Sequence, residues 1–197
     1  MKKIFLIAFC LSVFAGFAHP QTKTNLEIVY SLLDQSADKI DSVLNKRDNA
    51  FSFKFSSPPE YQFLRAKILD SFIKHSYNIK QESGSANLEY NIANISTSYG
   101  ESFKDGFFGD YYVERFIVVQ GSAIISNSEK KFSSIDFNET YRDSVRIEEI
   151  TALENESLPF TKSQIPPPPV FSNLLEPIIV VGTLIVTVIL LFTIRSK

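Results

Sequence analysis

The chain has 197 residues and a single cysteine, Cys10, close to its start, so a disulfide framework is excluded. Its 20 basic and 22 acidic residues give a formal net charge of −2. That balance argues against nucleic acid as a partner and against charge-driven binding to anionic lipid.

The N-terminus has the pattern of a secretory signal peptide. Lys2 and Lys3 precede an apolar stretch over residues 4–17, and small residues suited to a cleavage site follow. We therefore assign residues 1–18 to a signal peptide and expect the next domain to be exported. If the segment is retained, it becomes a second membrane helix, and the topology of the rest is unchanged.

Two helices are predicted in the N-terminal half. The first opens on a capping-box pattern at residues 24–27, and apolar residues at helical spacing extend it over residues 25–45. The second begins at residues 57–60, Ser-Pro-Pro-Glu, where Ser57 suits an N-cap, and it ends near His75.

Strands are predicted from alternation of apolar and polar residues. Phe51, Phe53 and Phe55 alternate with polar residues between the two helices, which indicates a strand with one buried face. Further strands are predicted over residues 77–79, 88–92, 111–126, 132–137 and 144–147. The order predicts an α+β fold, with two N-terminal helices packed on a mostly antiparallel sheet and a C-terminal transmembrane helix.

The C-terminal run is the clearest membrane signal. Residues 178–194 carry no charge and rise about 25 Å as a helix, close to the thickness of a bilayer core. Arg195 and Lys197 follow, so the positive-inside bias predicts a cytoplasmic C-terminus. We assign residues 177–194 to the transmembrane helix and 195–197 to a cytoplasmic tail too short to hold a further domain.

An exported domain over residues 24–157 and a proline-rich linker over 158–176 complete the organisation. The prolines stiffen the linker, which serves as a plain tether or as a docking motif for a proline-binding partner. In the span, Thr183 and Thr187 lie four residues apart beside Gly182, a weak pattern for helix pairing. The short basic signal and the scarcity of cysteine favour a single-pass protein of the bacterial inner membrane, with its domain in the periplasm.

Catalytic and metal-binding motifs are sparse. His19 and His75 are the only histidines, and the sequence has no phosphate-binding glycine loop and no nucleophile with an identifiable base. We therefore expect no catalytic residue, cofactor or metal ion. Carboxylates are the remaining chemical option, chiefly the acidic cluster over residues 148–156, which is typical of a solvated face. Asp105 and Asp110, framed by glycines, are a weak calcium candidate.

One segment, residues 99–112, differs from ordinary scaffold because aromatic side chains alternate with Gly100, Gly106 and Gly109. Rings on a flexible loop suit a protein interface, and the alternative is that they extend the core. The candidate partner contacts are Tyr99, Phe103, Phe107, Phe108, Tyr111 and Tyr112.

The sequence thus favours a non-catalytic binding or assembly module, an accessory subunit of a larger envelope complex with the membrane and a protein as its partners. Two alternatives stay open: a hydrolase or transferase that uses carboxylates alone, and a passive structural stalk.

Overall fold

The computed structural model describes residues 22–44, 50–80, 86–106, 109–126, 132–167 and 172–194. The predicted signal peptide, the cytoplasmic tail and two of the candidate contacts, Phe107 and Phe108, lie outside these residues. The main elements in chain order are α1 (Asn25–Asp41), β1 (Ala50–Ser56), α2 (Arg65–Lys74), β2 (Asn78–Lys80), β3 (Asn87–Lys104), β4 (Tyr111–Ser126), β5 (Phe132–Arg146), α3 (Ile150–Leu153) and α4 (Ser172–Ile194). The fold is a mixture of helices with one five-stranded sheet, followed by an apolar C-terminal helix.

Helix α1 begins at the predicted capping box. The Glu27 carboxylate accepts a hydrogen bond from the Thr24 backbone at 2.7 Å, and the Glu27 N–H donates to the Thr24 hydroxyl at 3.2 Å. The helix ends at Asp41, short of the predicted residue 45, although Leu44 is still buried. Its apolar stripe packs on the sheet and consists of Ile28, Val29, Leu32, Leu33, Ala37 and Ile40.

The expected pair of N-terminal helices is matched only in part, because the second is not one continuous α-helix. A 3-10 segment, Pro59–Leu64, precedes the α-helix α2, and the first residues carry no side-chain cap. The N-cap role predicted for Ser57 is therefore wrong, because its hydroxyl donates instead to the carbonyl of Pro58 at 3.1 Å. The helical segment has its N-cap at Pro58, one residue after Ser57, and neither Pro58 nor Pro59 has a backbone N–H to donate.

The sheet has the strand order β2-β1-β3-β4-β5. Strand β1 pairs in parallel with both β2 and β3, whereas β3–β4 and β4–β5 are antiparallel. The expected mostly antiparallel sheet is thus poorly matched, since half of the four pairings are parallel. The reason is the α2 segment, which carries the chain back across the sheet so that β2 and β3 run in the direction of β1.

The core lies between the helices and one face of the sheet, and the opposite face is largely polar. A short 3-10 helix, Pro159–Thr161, places Phe160 against Tyr61 at 5.3 Å between ring centroids, and Thr161 is fully buried. The packed domain therefore extends to Thr161, four residues into the predicted linker. The predicted boundary placed Phe160 in the linker, but its ring belongs to the core of the domain.

Helix α4 contains an 18-residue stretch, Pro177–Ile194, with a mean hydropathy of 2.7 and no buried residues. Within the described part of the chain it is the one helix long and apolar enough to cross a membrane. Thr183 and Thr187 donate their hydroxyls to backbone carbonyls one turn earlier, at 2.9 and 2.8 Å. Their polar groups are thereby satisfied inside the helix.

Candidate functional site

The aromatic segment singled out by the sequence is mainly the end of a β-hairpin. Residues up to Lys104 belong to β3, and Tyr111 already pairs with Lys104 as the first residue of β4. The ladder has a register shift between Tyr99 and Ser102, and beyond its last pair the Asp105 N–H donates to the carbonyl of Asp110 at 3.0 Å. We expected a flexible loop here, but four of the six predicted contact residues belong to paired strands.

Glycine is required at both ends of this turn. Gly106 has a φ of +72°, a conformation that side chains other than glycine rarely adopt. A Cβ at Gly109 would lie 1.7 Å from the carbonyl oxygen of Asp105. Gly106 and Gly109 thus occupy positions at which a larger residue would be strained.

Two of the predicted contacts form an exposed pair on the polar face of the sheet. Phe103 and Tyr112 are opposite each other in the β3–β4 ladder, and their rings stack with centroids 6.0 Å apart and planes at 22°. Phe103 remains 42% exposed. The pair therefore presents one apolar surface to solvent, which we call the Phe103–Tyr112 patch.

Tyr111 lies at the same end of the hairpin. The ammonium group of Lys104 is 5.3 Å from the centroid of its ring, a cation–π contact between two residues that pair across the ladder. Tyr111 is half-buried. It belongs to the hairpin end that carries the patch, although it pairs with Lys104 and not with Phe103.

Tyr99 is separated from the patch. Its hydroxyl accepts a hydrogen bond from the Asn25 side chain at 3.0 Å, and its ring packs against the small cluster of Val113, Val145 and Ile150. Burial, aided by the nearby Glu154 carboxylate and opposed by the Asn25 hydrogen bond, raises the pKa of Tyr99 to about 12. Tyr99 thus follows the alternative reading, in which the aromatic residue extends the core.

The proline-rich linker runs beside the hairpin. The hydroxyl of Ser102 donates to the carbonyl of Pro167 at 2.7 Å, and Ser102 is two residues from the end of β3. The chain that leads to α4 therefore leaves the domain at the end of the hairpin that carries the Phe103–Tyr112 patch, on the opposite face of the sheet, because Ser102 pairs with the buried Val113.

A buried polar network that the sequence reading missed lies on the helix side of the sheet. Arg115 is completely buried, and its guanidinium group donates to both oxygens of Asp143, at 2.8 and 2.6 Å. The two residues are direct partners in the β4–β5 ladder. The sequence did contain a signal for this burial: Arg115 lies two residues from both Val113 and Ile117, so all three side chains point to the same buried face of β4.

This network joins both ends of the folded domain. Arg115 also donates to the backbone carbonyl of Lys23 at 2.9 Å and to the side-chain oxygen of Asn25 at 2.8 Å. Asn25 in turn donates to the carbonyl of Thr161 at 2.7 Å. These hydrogen bonds pair the guanidinium group of Arg115 and the side-chain amide of Asn25 with partners inside the protein. The network therefore has a structural role, because it connects the first and last packed residues of the domain.

The carboxylates of the described residues are engaged mainly with cations. Asp34 binds Lys67 at 2.7 Å, Glu114 binds Arg142, and Glu149 binds Arg146. No group of three or more potential metal-ligating residues occurs in the described ranges.

The acidic cluster is also part of the scaffold. Glu154 accepts a hydrogen bond from the backbone N–H of Ser163 at 3.1 Å and lies beside Tyr99.

The other singled-out polar residues also have partners within the domain. Asp110, which directly precedes β4, is 3.6 Å from Arg146. His75 caps α2, and its Nε2 is 2.8 Å from Asp38 of α1.

No protein-family profile matches the chain, and no curated protein is significantly similar to it. Among solved structures, a minor lipoprotein from Acinetobacter baumannii is similar over 66% of this chain and 87% of its own, with a TM-score of 0.34 and 9% identity. Rare lipoprotein B from Shewanella oneidensis is similar over 48% of this chain and 68% of its own, with a TM-score of 0.28 and 12% identity. At such low TM-scores these likenesses support no argument about fold or function.

Proposed function

We propose that the chain is a non-catalytic binding or assembly module of the bacterial envelope, anchored by α4, and that the Phe103–Tyr112 patch contacts a protein partner. The observation that carries the proposal is the position of this patch at the end of the hairpin where the linker leaves the domain. From Pro167 to Pro177 there are ten residues, or at most about 35 Å of extended chain. The patch is thereby kept near the membrane, where a membrane-bound partner would be met.

The chemistry of the patch suits a protein contact. Stacked aromatic rings provide a large contact area with little conformational entropy to lose. They are held on paired strands, so the surface is formed before binding and costs little to order. Arg146 pairs with Tyr112 in the β4–β5 ladder and lies 3.6 Å from Asp110, and these two residues supply a charged rim, the arrangement common around an apolar contact.

The topology that goes with this function places the folded domain in the periplasm and the C-terminus in the cytoplasm. It rests on the basic residues after the apolar stretch and on the signal-like N-terminus. A single-pass anchor in the inner membrane would let the domain act on partners in the periplasm or at the membrane surface.

Site-specific photocrosslinking in cells tests the proposal. A photoreactive phenylalanine at Phe103 should capture one defined protein, and Tyr112→Ser in the same chain should abolish that product. The melting temperature should change little, because both side chains lie on the outer face of the sheet.

Phe63 offers a matched control. It is 44% exposed, close to the 42% of Phe103, and its ring also stacks on a neighbour, Phe160. A photoreactive residue at Phe63 should not give the same product. Equal capture from both positions, or none from Phe103, would contradict the proposed contact and favour a passive stalk.

A further inference from the structure

The two edges of the sheet are very different. One edge is β2, which has only three residues, whereas the other is β5, which has fifteen and is about 50 Å long. Short edge strands and bulges are common protections against pairing with another chain. The β3–β4 ladder has two register shifts, but the β4–β5 ladder runs without one from Arg146 to Phe132.

The outer edge of β5 is open in the described part of the chain. The strand contains no proline, so each residue has a backbone donor and acceptor, and those of alternate residues point away from β4 toward the open edge. The turn, loop and cap hydrogen bonds between described residues do not include the β5 backbone. Helix α1 packs on the face of β5, as the 3.6 Å contact between Lys39 and Glu139 shows, and leaves the edge uncovered.

The outward side chains of β5 are complementary to themselves about Glu139. Asp136 and Arg142 lie three residues before and after it, and Phe132 and Arg146 lie seven before and after. When a second β5 runs antiparallel with its Glu139 opposite this one, each Asp136 faces an Arg142 and each Phe132 faces an Arg146. Directly opposed side chains in such a pair are about 5 Å apart.

The complementarity belongs to one register. Moving the centre by one residue in either direction pairs Asp136 with Thr140 or with Ser144, and both opposite-charge pairs are lost. A strand that merely carried charges for solubility would have no reason to place them symmetrically about one residue.

The exposure of these side chains fits the same arrangement. Phe132 is 75% exposed, which is unfavourable in an isolated strand, and an opposing guanidinium group would cover its ring. The Arg142 side chain is 63% exposed, so its surface pair with Glu114 is weak and can be shared. Glu139 points to the other face, where Lys39 of each copy offsets the charge of the central pair.

We propose that β5 of one copy pairs antiparallel with β5 of a second copy, centred on Glu139, so that two five-stranded sheets become one continuous sheet. The occupant of this edge is thus a second copy of the chain. The inference does not depend on the hairpin contact proposed above, because that contact is centred on rings of β3 and β4 and the two surfaces share only Arg146.

Cross-linking of the full-length chain in native membranes tests the pairing. In a Cys10→Ser background, Glu139→Cys should give a dimer with a short thiol-specific cross-linker, because position 139 faces itself. The matched control is Ser96→Cys, an exposed position on the central strand β3. Pairing through the membrane helix or through crowding alone would cross-link both variants equally, and that result would overturn the proposal.

A charge exchange tests the register. Adding Asp136→Lys to Glu139→Cys places like charges opposite each other twice and should lower the dimer yield about tenfold. Arg142→Glu should have the same effect, and the double variant should restore the yield. Melting temperatures within a few degrees of the parent establish that the variants fold. An unchanged yield in both single variants, or no recovery in the double variant, would refute the pairing.

Discussion

Arg115 is the residue on which the ends of the domain depend. It is buried without exposure, and it binds Asp143 on the neighbouring strand, Lys23 at the start of the described chain and Asn25 at the head of α1. A buried charge is tolerated only when its donors are matched in this way. Because Asn25 continues the network to Thr161, the arginine also holds the segment that leads to the linker.

Arg115→Met should therefore destabilise the domain by roughly 3–5 kcal/mol, since Asp143 and Asn25 lose their partner in a mostly buried site. Urea unfolding of residues 22–167 provides the measurement. The control is Lys54→Met, which removes an exposed cation that pairs with Glu89 on the other side of the sheet and should cost no more than about 1 kcal/mol. Similar losses for both variants would show that the buried network does not stabilise the domain.

Asp34 gives the domain a defined acid sensitivity. Partial burial of the carboxyl opposes ionisation, but hydrogen bonds from Lys67 and Ser71 outweigh it and hold the pKa of Asp34 below its ordinary value of 3.8. Because the folded-state pKa is the lower one, the stabilisation is present above pH 3.8 and is lost as the pH falls through 3.8 and then through the folded-state value.

Melting temperatures of the unchanged chain and of Asp34→Asn, measured from neutral pH to below 3.8, test this behaviour. The unchanged chain should be the more stable at neutral pH, and the gap should close as the solution becomes acidic. A gap that stays constant over this range would mean that the Asp34–Lys67 contact does not contribute through ionisation.

At the scale of the elements, β1 shows how a predicted face is only partly buried. Phe51, Phe53 and Phe55 all point toward the helices, but only Phe51 is fully enclosed, at 1% exposure. It packs edge-on against Phe72 of α2, with centroids 5.8 Å apart. Phe53 and Phe55 lie further along β1 and are only partly covered.

Phe51→Ala should cost roughly 3–5 kcal/mol, the usual range for truncating a buried phenylalanine. Phe53→Ala should cost less, because part of its ring is already in contact with solvent. Both free energies of unfolding are obtained from urea titrations of residues 22–167. Equal costs would show that the two rings are buried to the same extent.

The close approach of strands at Gly121 provides a second test at this scale. A Cβ at this position would lie 2.2 Å from the backbone oxygen of Asn91 and 2.4 Å from the Phe137 ring. Gly121→Ala should therefore destabilise the sheet by about 1–3 kcal/mol, since a backbone atom has to move. Gly100, whose nearest contact is a Phe116 ring atom at 3.2 Å, is the milder control and should tolerate alanine better.

For the whole molecule, the arrangement that follows from the two proposals is a membrane-held dimer with a contact surface near each anchor. The symmetry axis of an antiparallel strand pair is normal to the sheet. Two copies anchored in one bilayer share an axis along the membrane normal, so the paired sheets would lie parallel to the membrane surface.

The membrane topology has a direct test. A reporter active only in the periplasm should be active when inserted between β4 and β5 and silent when fused after Lys197. The physical reason for this expectation is that basic residues after an apolar stretch favour the cytoplasmic side of the membrane. The reverse pattern of activity would overturn the charge argument.

The sequence by itself determined the features that depend on neighbours along the chain. The capping box opened α1, helical spacing indicated that one of its faces is apolar, and the uncharged run identified α4, because capping, periodicity and hydropathy are local properties. Only the tertiary structure decided what depends on distant partners. Alternation assigns a side chain to a face but not a strand to a neighbour or a direction, so the parallel pairing of β1 could not be foreseen.

The same limit applies to the candidate site. Aromatic and glycine content marked the segment, but pairing with β4 turned it into a hairpin and divided its rings, with Phe103 and Tyr112 outward and Tyr99 in the core. The Arg115–Asp143 pair joins residues 28 positions apart, and it exists only because β4 and β5 bring both charges to one buried face. Burial of a charge depends on the partner that the fold supplies, and this is why tertiary structure alone revealed it.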